Sequence, residues 1–407
     1  MFLKQQGIWL FLKGGNCVLV QIEYYDSDVL TNLISILSMK PDKVIFVYDK
    51  DVFSKSSVEN IYRAAKVHLE NLKYELHSVD SDNLEAICNV TQQLVPIHDE
   101  CIIDLTGGGD LMTIAGYQIG QRLNLKMIYA DIRKNKILEV VTGRILCNTV
   151  KLTIEDYLTA KGAAFLGNSH LQPKKEEYKN ILLMANYIFH NLSKWQKTCK
   201  YNQVTLSGKT SLRFYNRKQI KINGQIVSPD PDFLRYSEKL GFIKELKLGK
   251  IIDYTFTSEL AKQYLTTYGI WLELYVYLQS LKIRGISDVR LGAMIDWNAL
   301  DGIPNVGNEI DVVISKDSRP IFISCKLTNA NAAAVNEIIV NMRRVGGPRG
   351  KGILVTFSDI KKDNTGVYQR AVSTGIKVLD RSDILSGEFG DRLKNTIDEV
   401  LAKDIGM

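Results

Sequence analysis

The chain has few prolines, no paired cysteines and no long apolar run. Its 407 residues include 8 prolines and 6 cysteines. No cysteine belongs to a CxxC pair or has a histidine at zinc-ligand spacing, which excludes a disulfide scaffold and a structural zinc site. No segment reaches the roughly 18–20 apolar residues that span a bilayer, and Lys4, Gln5, Gln6 and Lys13 interrupt the apolar N-terminal stretch. We therefore expect a soluble protein of the reducing cytoplasm, without a membrane partner.

The composition is that of a folded protein with a large core. Hydrophobic residues make up 45% of the chain and charged residues 24%, which excludes an intrinsically disordered or fibrous protein. Because ordinary domains have roughly 100–200 residues, the length predicts two or three of them.

The net charge of +7 is unevenly distributed along the chain. Residues 1–150 have 15 Lys and Arg against 18 Asp and Glu, residues 151–268 have 19 against 10, and residues 269–407 have 18 against 17. The basic excess therefore lies in the middle segment. Two explanations remain open, a solvated connector and a surface that contacts phosphates.

The first 150 residues alternate between apolar, β-rich runs and helix-like segments. The runs are CVLVQIEYY, KVIFVYDK, YELHSV, ECIIDLT, KMIYADI and KILEVVTG. This pattern predicts a Rossmann-like α/β domain with a mainly parallel sheet, which binds ligands at the carboxyl ends of its strands. The polar candidates at those ends are Tyr25, Asp26, Ser27, Asp49, Lys50 and the segment 104–110.

A glycine triplet follows the fourth predicted strand, in the sequence DLTGGGDLM. Thr106, Gly107, Gly108 and Gly109 lead into a helix whose first-turn amides would contact a phosphate or a ribose edge. Without GK[ST] or GxGxxG, the motif favours neither ATP hydrolysis nor dinucleotide chemistry. A plain tight turn between strand and helix is the alternative.

The DLTGG sequence resembles the D-x-T-G-G motif of CARF domains, the Rossmann-like sensors of CRISPR systems. The strand order of residues 17–142 and the final pair of strands are also similar to that family. The resemblance covers about a third of the chain and implies a homodimer that binds a cyclic oligoadenylate, with cyclic tetra-adenylate favoured, across its two-fold axis. It places Thr106–Gly109 of both chains on this activator.

The last third of the chain brings acidic residues onto neighbouring predicted strands. Glu309 and Asp311 are two positions apart and therefore share a sheet face, and Lys326 lies on the next strand. Glu273 joins them from the preceding helix. Such carboxylates with one lysine suit the hydrolysis of a phosphodiester with Mg²⁺ or Mn²⁺.

This order of helices and strands resembles the PD-(D/E)xK nucleases, in a restriction-endonuclease-like fold. Ser324 stands where the family has its second acid, two positions before Lys326. Some members with an S-x-K form carry the acid on the following helix, which implies a metal-ligand role for Glu337. An ordinary solvent-facing Glu337 remains the alternative, in which case Asp311, Glu309 and the Cys325 carbonyl would hold the metal.

Two further features concern nucleic acid. Arg343, Arg344, Arg349 and Lys351 predict a mobile cationic loop that would either guide a phosphate backbone or serve only solubility. Within the middle segment, the sequence RYSEKLGFIKELKLGKIIDYTFTSELAKQYL reads as helix, strand, turn, strand and helix, and it looks like the wing of a winged-helix element.

The sequence thus predicts a sensor domain at 1–150, a basic linker with a winged-helix-like element at 151–268 and a nuclease domain at 269–407. The two resemblances together imply an activator-dependent, metal-dependent endonuclease of CRISPR defence that cleaves DNA, single-stranded or by nicking, with RNA as a second candidate substrate. A ligand-responsive regulator with an inactive nuclease domain is the alternative.

Overall fold

The computed structural model describes residues 18–97, 99–167, 171–303 and 309–402. Residues 1–15, whose role the sequence leaves open, lie outside this part. The chain divides into two compact units. The first comprises 1–165, 296–306 and 315–319, and the second comprises 166–295, 307–314 and 320–407.

The first unit is built almost entirely from the N-terminal part of the chain. Its elements are β1 (Leu19–Tyr24), α1 (Val29–Met39), β2 (Lys43–Tyr48), α2 (Lys55–His68), β3 (Lys73–Ser78), α3 (Leu84–Leu94), β4 (Glu100–Asp104), α4 (Asp110–Arg122), β5 (Lys126–Asp131), β6 (Lys136–Glu139), β7 (Ile145–Asn148) and α5 (Ile154–Ala160). β8 (Ala164–Gly167) follows at the end of this segment.

Strands β1 to β7 form one seven-stranded sheet in the order β3-β2-β1-β4-β5-β6-β7. Strands β1 to β5 pair in parallel, and β5, β6 and β7 pair antiparallel. Every residue of β1 after Leu19 is buried, which explains its continuous apolar character. The predicted Rossmann-like sheet is therefore confirmed, with β7 as an edge strand that the sequence did not reveal.

The second unit contains the middle segment and the C-terminal third. The middle segment forms α6 (Tyr178–His190), α7 (Leu192–Leu206), β9 (Arg213–Arg217), β10 (Ile220–Ile222), β11 (Gln225–Val227), α8 (Pro231–Lys239), β12 (Ile243–Leu248), β13 (Ile251–Phe256) and α9 (Glu259–Tyr264). The C-terminal third forms α10 (Ile270–Ser280), β14 (Ile286–Asp296), β15 (Glu309–Lys316), β16 (Arg319–Lys326), α11 (Ala332–Asn341), β17 (Lys351–Thr356), α12 (Ile360–Asp363), α13 (Thr365–Ser373), β18 (Lys377–Leu379), α14 (Arg381–Ile384) and α15 (Phe389–Ala402).

The winged-helix-like element has the predicted order of helix, two strands and helix, in α8, β12, β13 and α9. Its sheet has a third strand, in the order β12-β13-β9, and β10 and β11 form a separate hairpin. The sequence missed β9 to β11 because these strands have three to five residues each and little hydrophobic alternation.

A six-stranded sheet in the order β18-β17-β16-β15-β14-β8 forms the nuclease core. Strands β15 and β16 are joined by Asp317 and Ser318, whose φ angles of 50° and 58° match the type I′ turn of a two-residue hairpin. This tight hairpin fixes the register of the two strands that carry the acidic residues.

The predicted mobile loop around Arg343 and Arg344 is wrong. Met342–Gly346 forms a π-helical turn that continues α11, and Gly347–Arg349 forms a 3₁₀ turn before β17. The glycines and Pro348 indicated a loop, but the chain there stays helical up to Gly347, whose φ of 54° ends the turn. In the described part of the chain, no helix is long and apolar enough to cross a membrane.

Candidate nuclease centre and sensor site

Asp311 is the most heavily hydrogen-bonded acid of the predicted nuclease centre. Its Oδ2 accepts hydrogen bonds from the Cys325 backbone N–H at 2.7 Å, the Lys326 Nζ at 3.1 Å and the Ser324 hydroxyl at 3.2 Å. The side chains of Asp311 and Lys326 are 17% and 32% exposed, so the ion pair faces a partly open crevice. β15 thus presents Asp311 to the S-x-K sequence of β16, as the strand alternation predicts.

Ser324 has a role that the sequence alone did not assign. It is 6% exposed and donates its hydroxyl to Asp311. In place of an acid, this position supplies a neutral donor that helps to hold the Asp311 carboxylate in one orientation.

Glu273 lies in an environment that disfavours its charge. Burial, followed by the negative charges of Asp311 and Glu309, raises the pKa of Glu273 to about 8, although Lys326 opposes the shift. The adjacent residues of α10, Trp271, Leu272 and Leu274, are fully buried. The first-turn position of Glu273 thus brings it to the centre from the helix, as predicted.

Glu309, Asp311, Ser324 and Glu337 line one small, partly open crevice. Glu309 is exposed at the start of β15, and Glu337 lies on α11. Burial raises the pKa of Glu337, and the charges of Asp311 and Glu309 raise it further against the effect of Lys326. Glu337 is therefore not a freely solvated helical side chain.

The four carboxyl groups outnumber the one ammonium group, so this centre has an excess of acidic groups. Burial tends to lower the pKa of Lys326, but the charge and hydrogen bond of Asp311 outweigh it and raise the pKa. The hard carboxylate oxygens are of the chemical type that Mg²⁺ and Mn²⁺ prefer. Among the described residues, however, no three Asp, Glu, His or Cys side chains converge closely enough to hold one.

Cys325 contributes through its backbone. Its N–H bonds to Asp311, and burial raises the pKa of its thiol well above the ordinary value. The thiol therefore stays protonated and is a poor metal ligand. The predicted role of the Cys325 carbonyl remains a prediction.

The glycine triplet of the first unit is held against β1. A Cβ added to Gly107 would lie 2.6 Å from the Tyr24 carbonyl oxygen, and one added to Gly108 would lie 2.6 Å from the Tyr24 Cβ. Gly108 also has a φ of 80°, whereas Gly109 has open space around it. Gly109 is the N-cap of α4 and has no side chain to cap the first-turn amides, which leaves them available to an anion.

Thr106 ties the triplet to two neighbouring strands. Its backbone N–H donates to Asp104 at 2.8 Å, and its hydroxyl oxygen accepts the Ala130 N–H at 2.8 Å. Thr106 thus acts in the structure as a brace for the turn. A direct contact between Thr106 and a ligand remains a prediction.

Behind this turn lies a buried pair of carboxyl groups that the sequence reading missed. Asp104 and Glu23 are both fully buried on neighbouring strands. Burial raises the pKa of Glu23 well above its ordinary value, and the charge of Asp104 raises it further; burial also raises the pKa of Asp104. Two such groups in one buried site favour the retention of one proton between them.

The first strand end is held by Asn32 and Lys161. The fully buried Asn32 accepts the Asp26 N–H at 3.0 Å and donates to the Tyr24 carbonyl and to Glu23, both at 2.8 Å. Lys161 donates to the Ser27 carbonyl at 2.8 Å. Nothing in the sequence indicated Lys161, because 134 residues separate it from its partner.

The remaining sensor candidates differ in accessibility. Tyr25 is 5% exposed and packs edge-on against Phe53, and its burial raises the pKa of its hydroxyl to about 12. Asp49 is also buried, and its hydrogen bonds with Ser81 lower its pKa. Lys50 is exposed. Asp49 is thus occupied in bracing its own strand end, whereas Lys50 is accessible to a ligand.

The fold and the two sites define a class of protein in which a Rossmann-like sensor unit is joined to a nuclease domain. The family described as Card1 CARF domain matches residues 27–157, and the family described as Card1-like endonuclease domain matches residues 259–400. Both matches lie in one chain. The protein therefore combines a domain similar to the Card1 CARF domain with a Card1-like endonuclease domain.

Solved structures with the same fold cover nearly the whole chain. Protein VC1899 from Vibrio cholerae has a TM-score of 0.70 and 16% identity, over 94% of this chain and 97% of that one. Can2 from Sulfobacillus thermosulfidooxidans, solved in complex with cyclic tetra-adenylate, has a TM-score of 0.66 and 19% identity, over 94% of this chain and 99% of that one. No curated protein matches the sequence.

Proposed function

We propose that this protein is an endonuclease of type III CRISPR defence that a cyclic oligoadenylate activates and that requires a divalent metal. The observation that carries the proposal is the grouping of Glu273, Asp311 and Glu337 around Lys326 within the endonuclease domain. The proposed substrate is DNA, single-stranded or nicked in a duplex, with RNA as a second candidate.

The carboxylates would hold Mg²⁺ or Mn²⁺, which when bound polarises the phosphate and lowers the pKa of the attacking water. Asp311, Glu309 and Glu337 are the proposed ligands, with the Cys325 carbonyl. Asp311 is oriented by its three hydrogen bonds, and the Lys326 ammonium is positioned to stabilise negative charge on the phosphate. Glu273 retains its proton at neutral pH in the metal-free centre.

On the sensor side, the proposed activator is cyclic tetra-adenylate, bound by a homodimer across its two-fold axis. The uncapped first turn of α4 and the open space at Gly109 support an anionic ligand at this edge of the sheet. Lys50 would add a cation. An activator that stabilises one arrangement of the dimer shifts the population by its differential affinity alone.

The test is cleavage of labelled single-stranded DNA, supercoiled DNA and RNA with Mn²⁺ or Mg²⁺, with and without cyclic tetra-adenylate. We expect ligand-dependent cleavage that EDTA stops, that Asp311→Asn abolishes and that Lys326→Leu slows by roughly 100-fold or more. Asp391→Asn, an exposed acid of α15, is the matched control and should cleave normally. Glu337→Gln should raise the metal concentration needed for half-maximal rate.

One alternative function rests on Ser324 and on the absence of three convergent ligands among the described residues. In a ligand-responsive regulator, DNA would bind in an activator-dependent way and no strand would be cut by the wild-type chain with either metal. That outcome would exclude the proposed endonuclease activity and support the regulator. Recovery of intact cyclic tetra-adenylate after long incubation would show in addition that the sensor does not degrade its ligand.

A further inference from the structure

The winged-helix-like element presents an exposed sheet face with an aromatic residue at its centre. Along β9, Phe214 is 2% exposed and packs into the core, whereas Tyr215 is 59% exposed. Arg213, Tyr215 and Arg217 alternate with buried or half-buried positions and therefore share the outer face. The exposed ring of Tyr215 is accessible to a flat partner that stacks on it.

The pairing of the strands shows what surrounds this tyrosine. Tyr215 lies opposite Asp253, and Arg217 lies opposite Ile251 on β13. The Asp253 carboxylate accepts two hydrogen bonds from Arg213, at 3.2 and 3.3 Å. Lys247, which is 77% exposed, comes within 4.0 Å of the same carboxylate. The acid directly opposite Tyr215 is therefore already neutralised.

Cations are concentrated at the end of the sheet beyond Arg217. The Lys218 N–H bonds to the Lys250 carbonyl at 2.9 Å, which holds these two lysines next to each other, and both are exposed. Lys247 lies on the strand that precedes Lys250. The surface formed by Tyr215, Arg217, Lys218 and Lys250 is here called the basic sheet surface.

In a winged-helix element, α8 would be the helix that contacts a DNA groove, but it lacks the excess of positive charge found on the sheet. The exposed side chains of α8 are Asp232, Arg235, Glu238 and Lys239, which balance in charge. Arg235 and Lys194 both pair with Asp232, at 3.0 and 3.1 Å. Phosphate contacts need unneutralised cations, so the sheet is the better surface for nucleic acid.

We propose that the basic sheet surface binds single-stranded nucleic acid, with one base stacked on Tyr215 and the backbone following Arg217, Lys218 and Lys250. A stacking aromatic needs an unpaired base, because a duplex hides the faces of its bases. The proposal rests on the proposed function only in taking the strand to be the nuclease substrate.

The test measures binding without cleavage, in full-length Asp311→Asn protein with EDTA, by the fluorescence anisotropy of a labelled oligothymidylate. Tyr215→Ala should weaken binding by roughly 5- to 100-fold, the range given by the loss of one stacked base, while Tyr215→Phe binds as the parent does. Lys250→Glu should weaken binding and make the slope of log affinity against log salt less steep by about 0.7 for each phosphate that the protein no longer neutralises. Lys73→Glu, which reverses an exposed charge of the sensor strand β3, is the control.

The proposal fails if Tyr215→Ala and Lys250→Glu both bind oligothymidylate as the parent does, or if Lys73→Glu weakens binding as much as Lys250→Glu. Preference for a duplex over the single strand would equally exclude stacking. Thermal melting of each variant identifies any loss that comes from unfolding, and Tyr215→Phe separates stacking from structure. A loss of binding by Tyr215→Ala would support the surface even if the wild-type protein cut no strand, so the two proposals are tested separately.

Discussion

Three consecutive glycines in the sensor turn should respond differently to alanine, for reasons that the structure separates. At Gly107, an added methyl group would meet the Tyr24 carbonyl oxygen at 2.6 Å and the Asn32 amide nitrogen at 3.0 Å. Tyr24 and Asn32 are fully buried, so neither can move away without disturbing the core. We expect Gly107→Ala to lower the free energy of unfolding by about 1–3 kcal/mol, as overpacking usually does.

Gly108→Ala combines two costs. The residue has a φ of 80°, and its methyl group would lie 2.6 Å from the Tyr24 Cβ. The left-handed backbone alone costs an L-residue roughly 1–2 kcal/mol, to which the steric contact adds. Gly108→Ala should therefore destabilise the protein at least as much as Gly107→Ala.

Gly109→Ala is the matched control for stability, because nothing lies within 4 Å of its added methyl group. Loss of the N-cap glycine and the reduced freedom of the unfolded chain are opposing effects of about 0.5–1 kcal/mol each, so stability should stay nearly unchanged. The methyl group would project where we place the activator, so the affinity for cyclic tetra-adenylate should fall.

Urea unfolding gives the stability of the three variants, and calorimetric titration gives their affinity for cyclic tetra-adenylate. A Gly107→Ala protein as stable as the wild type would show that the turn does not pack on β1 as described. An unchanged affinity of Gly109→Ala for cyclic tetra-adenylate would exclude the start of α4 from the activator-binding site.

Two further predictions concern buried polar groups. In metal-free protein, the pKa of Glu273 near 8 means that the part of the wild-type stability linked to this carboxyl group is fully present below pH 4.5 and is lost as the pH rises towards 8. Glu273→Gln should therefore be more stable than the wild type at pH 7, by on the order of 3 kcal/mol. Urea unfolding should show that the free energy of unfolding falls less between pH 5 and pH 8 in Glu273→Gln than in the wild type. An equal fall in both proteins would contradict the raised pKa. Asn32→Ala should destabilise the sensor by roughly 2–4 kcal/mol, because it leaves the Asp26 N–H and the Tyr24 carbonyl without their partner, whereas Asn148→Ala at an exposed edge should not.

The sequence predicted those features that depend on local periodicity. Continuous apolar runs identified the strands of the sensor sheet, and the two-residue spacing of Glu309 and Asp311 placed both on one face of β15. The pairing of Asp311 with Lys326 also follows from strand adjacency, because a two-residue turn joins their strands. Such features need no knowledge of distant parts of the chain.

Contacts between remote segments could not be predicted from local periodicity. Lys161 meets Ser27 only because α5 packs beside α1 and α2, and no spacing in the sequence encodes this contact. Asn32 reads as an ordinary polar residue of a helix until its three partners are seen. The π-helical turn at Met342–Gly346 was missed because glycine and arginine are typical of loops, whereas packing after α11 keeps the chain helical.

The serine at position 324 is best understood through the charge of the centre. Lys326 lowers the pKa of Glu273, yet burial together with Asp311 and Glu309 outweighs this effect and raises that pKa to about 8. A carboxylate at position 324, buried at 6% exposure, would add a further negative charge to that surplus. Serine instead donates a hydrogen bond to Asp311, and Glu337 supplies a carboxylate from the edge of the same crevice. Serine at this position therefore limits electrostatic repulsion among the acids of the metal-free centre.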